Sequence, residues 1–416
     1  MEVDEGSSLH TVEASRLCET QNDPAVTSSR EAIAERILHM QLRKIVKENH
    51  LAPVEMLLYH PKESNRHMLA TSGANMVSIY DNNHCGGHLD LSCFLQNVET
   101  EYAKGGAVTS IAWLQQPKTW ENEALLAFAG VEGEVSVMSV ANCRVVGLFQ
   151  GHSGRVVDIA AHPTLPGVVL SAGADGTVRM WNGMQEHDYA TKEQESRPKC
   201  LAVFNIGPGA PTSVACHPHG ESFVVGYENG RVAFFDANMI ECWTNATIKP
   251  ESESSTSASI LPRDVQSRDL ILAGKSCIDC LEFVEELRVA ALDADGQLYI
   301  INSHSGEITQ MSLPESSAAA GVSRPLHRRT RFGISNCRNF ICCGNDWGEV
   351  YVFDLTAAKN IHMIGMPRIR SPVTSCHFIR DCSSIAISTA DSIIWRWDSV
   401  LPEESTAVPI EETESA

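Results

Sequence analysis

One stretch of the sequence, from Gly151 to Asn182, constrains the fold more than any other. It opens with Gly-His and closes with Trp-Asn, and between these ends apolar runs alternate with Gly-rich turns. Together, these features are typical of one four-stranded blade of a β-propeller. A chance occurrence of Gly-His and Trp-Asn in an unrelated β-sandwich is the alternative interpretation.

Four polar residues of this stretch predict a buried hydrogen-bond network inside the blade. Asp175 lies in an Ala-Asp-Gly turn before the predicted strand Thr177–Trp181, and a short carboxylate tolerates such a turn. An unpaired carboxylate inside a blade would be costly, so Asp175 needs donors. The side chains of His152, Ser171 and Trp181 carry them, and we therefore expect these four residues to form the structural network of the blade.

Weaker copies of the same strand–turn–strand core recur along the chain. They are Ala70–Asp81, Phe128–Ser139, Val225–Asp236, Ala291–Asn302, Cys342–Asp354 and Ile387–Asp398. A single blade cannot bury both of its faces, so a propeller must repeat it. Together with the clear copy, the sequence predicts an all-β fold, a single seven-bladed WD-repeat β-propeller with disordered N- and C-terminal tails.

The ends of the chain predict how the ring closes. Residues 1–28 and 399–416 are polar, acidic and without periodicity, which predicts two disordered tails around a propeller of residues 29–398. The last strand pattern ends at Asp398, so the outer strand of blade seven must come from the N-terminal side, near Met40–Lys47. Ala34, Leu38, Leu42 and Ile45 also fit a helical stripe. A short helix followed by that strand satisfies both patterns.

Composition and charge limit the classes of partner. The net charge is −20, which repels phosphate backbones and predicts no direct binding to nucleic acid. The acidic N-terminus does not resemble a signal peptide and no run of 18 apolar residues occurs, so no membrane association is expected. A basic partner such as a histone tail suits this charge. The short basic cluster His327–Arg331 is interpreted as a solvated loop, with a localisation patch or a contact to an acidic partner as alternatives.

No motif indicates an enzyme, a cofactor or a metal site. A Gly-rich phosphate loop, a GxSxG elbow and an HExxH pair are all missing from the sequence. The 14 cysteines have scattered spacings, which favours small buried residues in a reducing compartment. Cys277 and Cys280 have the spacing of half a zinc or redox site, but no second pair accompanies them. We expect a protein that holds partners together.

The last blade narrows the prediction further. Val373–Asp398, which ends in the letters IWRWD, resembles the C-terminal blade of the embryonic ectoderm development and extra sex combs family. The likeness extends to Gly344–Leu355, Ser267–Phe283, Ala127–His152 and Tyr59–Asp81, and covers about residues 45–398. It implies a noncatalytic nuclear subunit of the Polycomb repressive complex, which methylates histone H3 and represses transcription. It also implies a bottom groove that binds a helix of the catalytic SET-domain methyltransferase.

The resemblance implies a top face that binds trimethylated lysine of the histone H3 tail, and this part departs from the family pattern. A trimethylammonium group has no hydrogen-bond donor and needs an aromatic cage. The positions of the family's four cage residues fall here on Pro53, Thr109, Arg328 and Arg329, none of which is aromatic.

Two arginines at the rim would repel a cation, so methyl-lysine binding is expected to be weakened or lost. Tyr102 or Tyr59 could replace a cage residue if the alignment were shifted. An adaptor of another complex, such as a ubiquitin-ligase substrate receptor, is the alternative function.

Overall fold

The chain folds into seven sheets, antiparallel except for one short strand, arranged around one axis, and the predicted fold class is confirmed. The computed structural model describes residues 24–47, 52–82, 89–116, 123–182, 199–248, 259–260, 266–314, 329–364 and 371–400. Among these residues no helix is both long and apolar enough to span a bilayer. The predicted tails lie outside the described residues, except for residues 24–28 and 399–400.

The elements follow the ring in chain order, after helix α1 (Pro24–Leu38) and strand β1 (Met40–Lys47). Blade one contains a short 3-10 helix (Glu63–Asn65) and β2 (Met56–Tyr59), β3 (Met68–Gly73), β4 (Met76–Asp81) and β5 (Asp90–Gln96). Blade two contains β6 (Val108–Trp113), β7 (Leu125–Gly130), β8 (Glu134–Ser139) and β9 (Arg144–Gln150). Blade three contains β10 (Val156–Ala161), β11 (Val168–Gly173), β12 (Thr177–Asn182) and β13 (Lys199–Asn205).

The second half of the ring repeats the arrangement with one insertion. Blade four contains β14 (Pro211–Cys216), β15 (Phe223–Tyr227), β16 (Arg231–Phe235) and β18 (Gln266–Ile271). Helix α2 (Met239–Ile248) and strand β17 (Ser259–Ile260) are inserted between β16 and β18, and β17 joins the sheet of blade three, where it pairs in parallel with β13. Blade five contains β19 (Ile278–Glu285), β20 (Arg288–Asp293), β21 (Gln297–Asn302) and β22 (Ile308–Ser312). Blade six contains β23 (Gly333–Ile334), β24 (Phe340–Gly344), β25 (Val350–Asp354) and β26 (Lys359–Ile364). Blade seven contains β27 (Val373–Phe378), β28 (Ser384–Thr389) and β29 (Ile393–Ser399).

The burial of each strand reflects its place between the axis and the rim. The first strands of neighbouring blades contact one another around the axis. Middle strands such as β7, β8 and β11 are buried along their whole length because a neighbouring blade covers each face. Outer strands are more exposed, as in β9, where Phe149 is buried and Val145 is exposed. Between blades three and four, the rings of Phe204 and Phe223 pack with their centroids 5.1 Å apart.

The N-terminal segment closes the ring. Strand β1 pairs antiparallel with β29 and supplies the fourth strand of blade seven, with Ile45 opposite Trp395. Helix α1 packs Ile37, which is fully buried, against the core of blades six and seven. The predicted helical stripe is wrong from Leu38 onwards, because Leu38 and Ile45 are 51% and 52% exposed and the chain turns from helix to strand at residue 39.

Two predicted boundaries shift by a few residues. Helix α1 begins at Pro24, so residues 24–28 are helical and do not belong to a disordered tail. Strand β29 continues to Ser399, and the amide of Val400 donates to the carbonyl of His39 at 3.1 Å. The N-terminal helix and the last strand are therefore held together at the point where the ring closes.

Candidate functional site on the ring axis

The four residues predicted to form the blade-three network lie in one hydrogen-bonded chain. The Trp181 indole Nε1 donates to the Ser171 hydroxyl at 2.8 Å, and Ser171 Oγ lies 2.7 Å from His152 Nε2. His152 Nδ1 lies 3.0 Å from the Asp175 carboxylate. Burial opposes ionisation of Asp175, but the hydrogen bond and charge of His152 hold the pKa of its carboxyl below the usual range.

Two glycines allow the His152 ring to reach this position. A Cβ added to Gly173 would lie 2.3 Å from His152 Nδ1 and 2.7 Å from Asp175 Oδ1, so only glycine fits there. Gly176 closes the turn with φ +76°, a conformation that L side chains rarely adopt. The network therefore depends on the Gly-rich turns that mark the stretch in the sequence.

The axis of the ring opens through two cavities. We define the top face as the face where the first strand of each blade begins. The top cavity has a volume of about 510 Å³, and its lining includes Glu55, Thr109, Arg155, Glu228 and Arg329. The bottom cavity, of about 320 Å³, lies where the first strands end, and includes Tyr59, Trp113 and Arg331 in its lining.

Asp158 lies on the axis between these cavities and accepts hydrogen bonds from three other blades. Its carboxylate, 2% exposed, accepts from the Ser110 hydroxyl of blade two at 2.7 Å. From blade four it accepts from the Ser213 hydroxyl at 3.0 Å and the Val214 amide at 3.1 Å. The Arg331 guanidinium donates from the chain entering blade six, at 2.7 Å. One carboxylate thus joins four parts of the ring.

A second arginine enters the same channel from the top face. The Arg329 guanidinium donates to the carbonyls of Asp279 at 2.6 Å and Val157 at 2.9 Å, and lies 3.3 Å from the Asp158 carboxylate. The Thr330 amide donates to the Asp279 carboxylate at 3.0 Å. The interpretation of the basic cluster as a solvated loop is wrong for residues 329–331, because buried acceptors draw both arginines to the axis.

The charges of this cluster balance. Two arginines, Arg329 and Arg331, face two buried aspartates, Asp158 and Asp279. Burial alone would raise the pKa of Asp158, but the charges of the two arginines outweigh it and lower the pKa to about 2. Asp158 is therefore ionised at neutral pH, and the cluster contains no surplus charge to attract a ligand.

Of the four predicted cage positions, Thr109 and Arg329 line the top cavity. Pro53 is half-buried and does not line the top cavity. The Thr109 hydroxyl donates to the Val156 carbonyl at 2.7 Å and lies 3.1 Å from the Ala129 carbonyl. Arg329 points into the channel, whereas Arg328 lies outside the described residues. Within the described ranges, no aromatic side chain lines the top cavity.

The two alternative aromatic residues lie elsewhere. Tyr59 is 3% exposed, lines the bottom cavity, and its hydroxyl accepts from the Asn82 amide at 3.0 Å. Tyr102 is 75% exposed and is not among the residues that line the top cavity. Neither tyrosine replaces a cage residue in this arrangement.

Cys277 and Cys280 occupy different environments. Cys277 lines the top cavity, while Cys280 is packed in the core between blades five and six. Burial raises the pKa of Cys277 to about 11 and that of Cys280 to about 12. Across the described part of the chain, no group of three or more His, Cys, Asp or Glu residues could hold a metal ion.

The axial residues were missed in the sequence, although a signal for them exists. Ser110, Asp158, Ser213 and Ser375 each occupy the third position of the first strand of a blade. A Ser or Asp at the third position of the first strand in four blades indicates that these positions meet around the axis.

Comparisons with known proteins agree with the fold. The family model described as WD domain, G-beta repeat matches residues 143–182. Polycomb protein esc of Drosophila melanogaster is 24% identical over 378 residues, which cover 85% of this chain and 83% of the relative. Polycomb group protein FIE2 of Zea mays is 23% identical over 344 residues, 80% of this chain and 84% of the relative. Polycomb protein EED of Chaetomium thermophilum is 36% identical over 111 residues, 26% of this chain and 18% of the relative.

The seven blades and the network of blade three define a WD-repeat β-propeller. The chain is a homologue of the Polycomb group proteins esc, FIE and EED, and the resemblance seen in its last blade is confirmed.

Proposed function

We propose that this protein is a noncatalytic scaffold subunit of a Polycomb-type histone H3 lysine methyltransferase complex, acting in the nucleus in transcriptional repression. The observation that carries the proposal is the similarity to a Polycomb protein along 85% of the chain. A closed ring offers a top face, a bottom face and a rim to different partners at once. The net charge of −20 suits basic partners such as histone tails.

The bottom cavity supports a role in binding the catalytic SET-domain subunit. Its walls combine apolar side chains such as Leu58, Ala161 and Phe283 with a few polar groups. An amphipathic helix places its apolar face in such a groove and leaves its polar face in water.

Affinity purification of the tagged full chain, followed by mass spectrometry, tests whether the protein binds the SET-domain subunit. Recovery of a SET-domain methyltransferase is expected, and recovery of ubiquitin-ligase subunits in its place would favour the adaptor function.

The top cavity supports weakened or lost binding of trimethyl-lysine. A trimethylammonium ion is stabilised by aromatic faces, and the described lining of the cavity supplies none. The Arg329 guanidinium already occupies the channel below the mouth, where it makes three hydrogen bonds. Because Arg329 and Arg331 already neutralise the Asp158 carboxylate, the cluster has no surplus negative charge to attract a second cation.

Calorimetric titration with histone H3 peptides tests the loss of methyl-lysine binding. The purified propeller is titrated separately with two peptides of the same sequence, one with trimethyl-lysine and one with unmodified lysine, so that the charge and the length of the peptides are matched. We expect affinities that differ by no more than about twofold, because no aromatic cage distinguishes the peptides. A tenfold preference for the trimethylated peptide would show that another cage exists and would overturn this part of the proposal.

A further inference from the structure

A further cavity opens on the bottom face between blades four and five, and we call it the blade four–five cavity. Its volume is about 690 Å³. Its walls come from the β14–β15 turn, the ends of β16 and β19, the outer strand β18 and the β21–β22 turn. It shares only Phe283 with the lining of the bottom cavity on the axis. The volume lies within the range of about 300–1,000 Å³ that is usual for ligand cavities.

His217 fixes one wall of this cavity. Its Nδ1 accepts from the amide of His219 at 3.2 Å, so the proton of the ring is on Nε2, which donates to the carbonyl of Glu286 in blade five at 2.9 Å. The ring also packs edge-to-face against Phe283, with centroids 5.1 Å apart. The two blades are therefore held at a set distance, and the neutral His217 ring adds no charge to the cavity.

Negative charge prevails among the side chains that line the cavity. Glu221 and Asp236 are exposed, and their carboxylates make no hydrogen bond or ion pair with any part of the chain that the structure describes. Glu286 pairs with His219 at 2.7 Å. The Arg268 guanidinium donates to a backbone carbonyl of the β21–β22 turn. Three carboxylates thus line the cavity with one guanidinium, whereas the charges of the axial cluster balance.

The apolar part of the lining indicates the kind of cation that fits. Phe234 and Phe283 line the cavity, and Leu287 contributes a side chain that is 54% exposed. In the described part of the chain no three His, Cys, Asp or Glu residues converge closely enough to hold a metal ion. A cation at the end of an apolar stem suits this mixture better, because the stem can cover apolar surface while the charge reaches the carboxylates.

We propose that the blade four–five cavity binds an arginine side chain of a basic peptide. The guanidinium lies near Asp236 and Glu221, where its planar set of donors matches carboxylate oxygens, and its stem contacts Leu287 and Phe283. The net charge of −20 attracts such a peptide to the protein. This site is separate from the axial cavities, so it can be occupied whether or not a partner binds there.

Fluorescence anisotropy with the purified full chain tests the proposal. The probe is a labelled peptide of eight residues with three arginines separated by glycines. A matched peptide carries citrulline at the same positions, which keeps the shape of arginine but has no charge. We expect the citrulline peptide to bind at least about tenfold more weakly, because it lacks the charge-assisted hydrogen bonds to the carboxylates.

Variants of the lining locate the site. D236N and E221Q should each weaken binding of the arginine peptide by about threefold, and L287R, which places a cation at an exposed position of the cavity, by about tenfold. E132Q is the matched control, because Glu132 is exposed in the β7–β8 turn on the top face and its loss changes the net charge equally. It should change the affinity by less than about 1.5-fold.

Several results would overturn the proposal. Equal weakening by E132Q and D236N would show attraction to the acidic surface as a whole. Equal binding of the arginine and citrulline peptides, or no binding of either at 1 mM, would show that the cavity does not bind a guanidinium. Tighter binding of a peptide with glutamate in place of arginine would make Arg268 the anchor for an acidic ligand. The comparison of peptides uses wild type, so it does not depend on the folding of a variant.

Discussion

The carboxylate of Asp158 lies 2.7 Å from the guanidinium of Arg331 on the axis of the ring, although 173 residues separate them in the chain. This pair connects blade three with the segment that enters blade six, and Arg329 and Ser110 bind the same carboxylate. Both side chains are almost completely buried, at 2% and 8% exposure. The ring is thus held together across its centre as well as between neighbouring blades.

Removal of the axial carboxylate should destabilise the fold strongly. In D158A the buried Arg331 guanidinium and the partly buried Arg329 guanidinium lose their counter-charge, and we expect the free energy of unfolding to fall by about 3–5 kcal/mol. Urea denaturation followed by tryptophan fluorescence measures the change. E285A is the control, because Glu285 forms a 2.6 Å pair with Arg288 but is 44% exposed, and its removal should cost less than about 1 kcal/mol. Equal losses in the two variants would contradict the account.

The same carboxylate predicts a specific loss of stability in acid. Folding lowers the pKa of Asp158 from 3.8 to about 2, so the folded state binds the proton less tightly than the unfolded state. The lowered pKa of Asp158 adds about 2 kcal/mol to the free energy of unfolding. This contribution is fully present above about pH 5 and is lost as the pH falls through about 2. We therefore expect the stability difference between wild type and D158N to be constant from pH 8 to about 5 and to shrink below pH 4.

This difference between variants isolates Asp158 from the other groups that titrate in acid. Burial lowers the pKa of His377, which must become charged as the protein unfolds at low pH, but it does so equally in both proteins. A difference that began to shrink near pH 6, or that stayed constant down to pH 2, would show that the arginine pair does not hold Asp158 in its ionised form.

The position of Arg329 can be tested by chemical rescue. R329A leaves a cavity that retains three acceptors, the Asp158 carboxylate and the carbonyls of Val157 and Asp279. Free guanidinium at about 10 mM should bind there and restore about 1 kcal/mol of stability, seen as a higher thermal midpoint. Tetramethylammonium is a cation without donors and should restore nothing. A rescue by both ions, or an equal effect of guanidinium on wild type, would argue against a site made of hydrogen-bond acceptors.

The blade-three network gives a matched pair of serine variants. S171A leaves His152 Nε2 and the Trp181 indole N–H buried without their partner, and should cost about 2–3 kcal/mol. Ser72 of blade one is also buried, but its hydroxyl makes no hydrogen bond to any part of the chain that the structure describes. S72A should change stability by less than about 0.5 kcal/mol. Chemical denaturation measures the free energy of unfolding of both variants. Similar losses of stability in S171A and S72A would show that the hydrogen bonds of the network add nothing beyond packing.

The repeated elements could be predicted from sequence because each blade is a local pattern. The strands, the turn at Asp175 and the donors around it lie within one stretch, so spacing alone places them together. The closing strand Met40–Lys47 followed from the need of blade seven for a fourth strand. Ile37 could not be distinguished from Leu38, because helical and strand periodicity overlap where α1 ends.

The axial cluster could not be predicted in the same way, because its members come from five distant parts of the chain: Ser110, Asp158, Ser213, Asp279, and Arg329 with Arg331. The residues next to Arg329 and Arg331 in the sequence do not indicate that these side chains donate hydrogen bonds to buried oxygen atoms of Asp279 and Asp158. A run of basic residues is usually solvated, and this expectation failed because the charge is neutralised across the ring. The hydrogen bonds on the axis therefore join residues that are far apart in the sequence and come together only in the folded ring.

A histone methyltransferase assay on the purified complex tests the proposed scaffold function directly. The tagged full chain is isolated with its partners, and methylation of histone H3 is measured with and without a trimethyl-lysine peptide. We predict that the isolated material methylates histone H3 and that the peptide changes the rate by less than about twofold, because the top cavity offers no aromatic cage. Absence of methyltransferase activity would contradict the scaffold function, and strong stimulation by the peptide would contradict the loss of methyl-lysine binding.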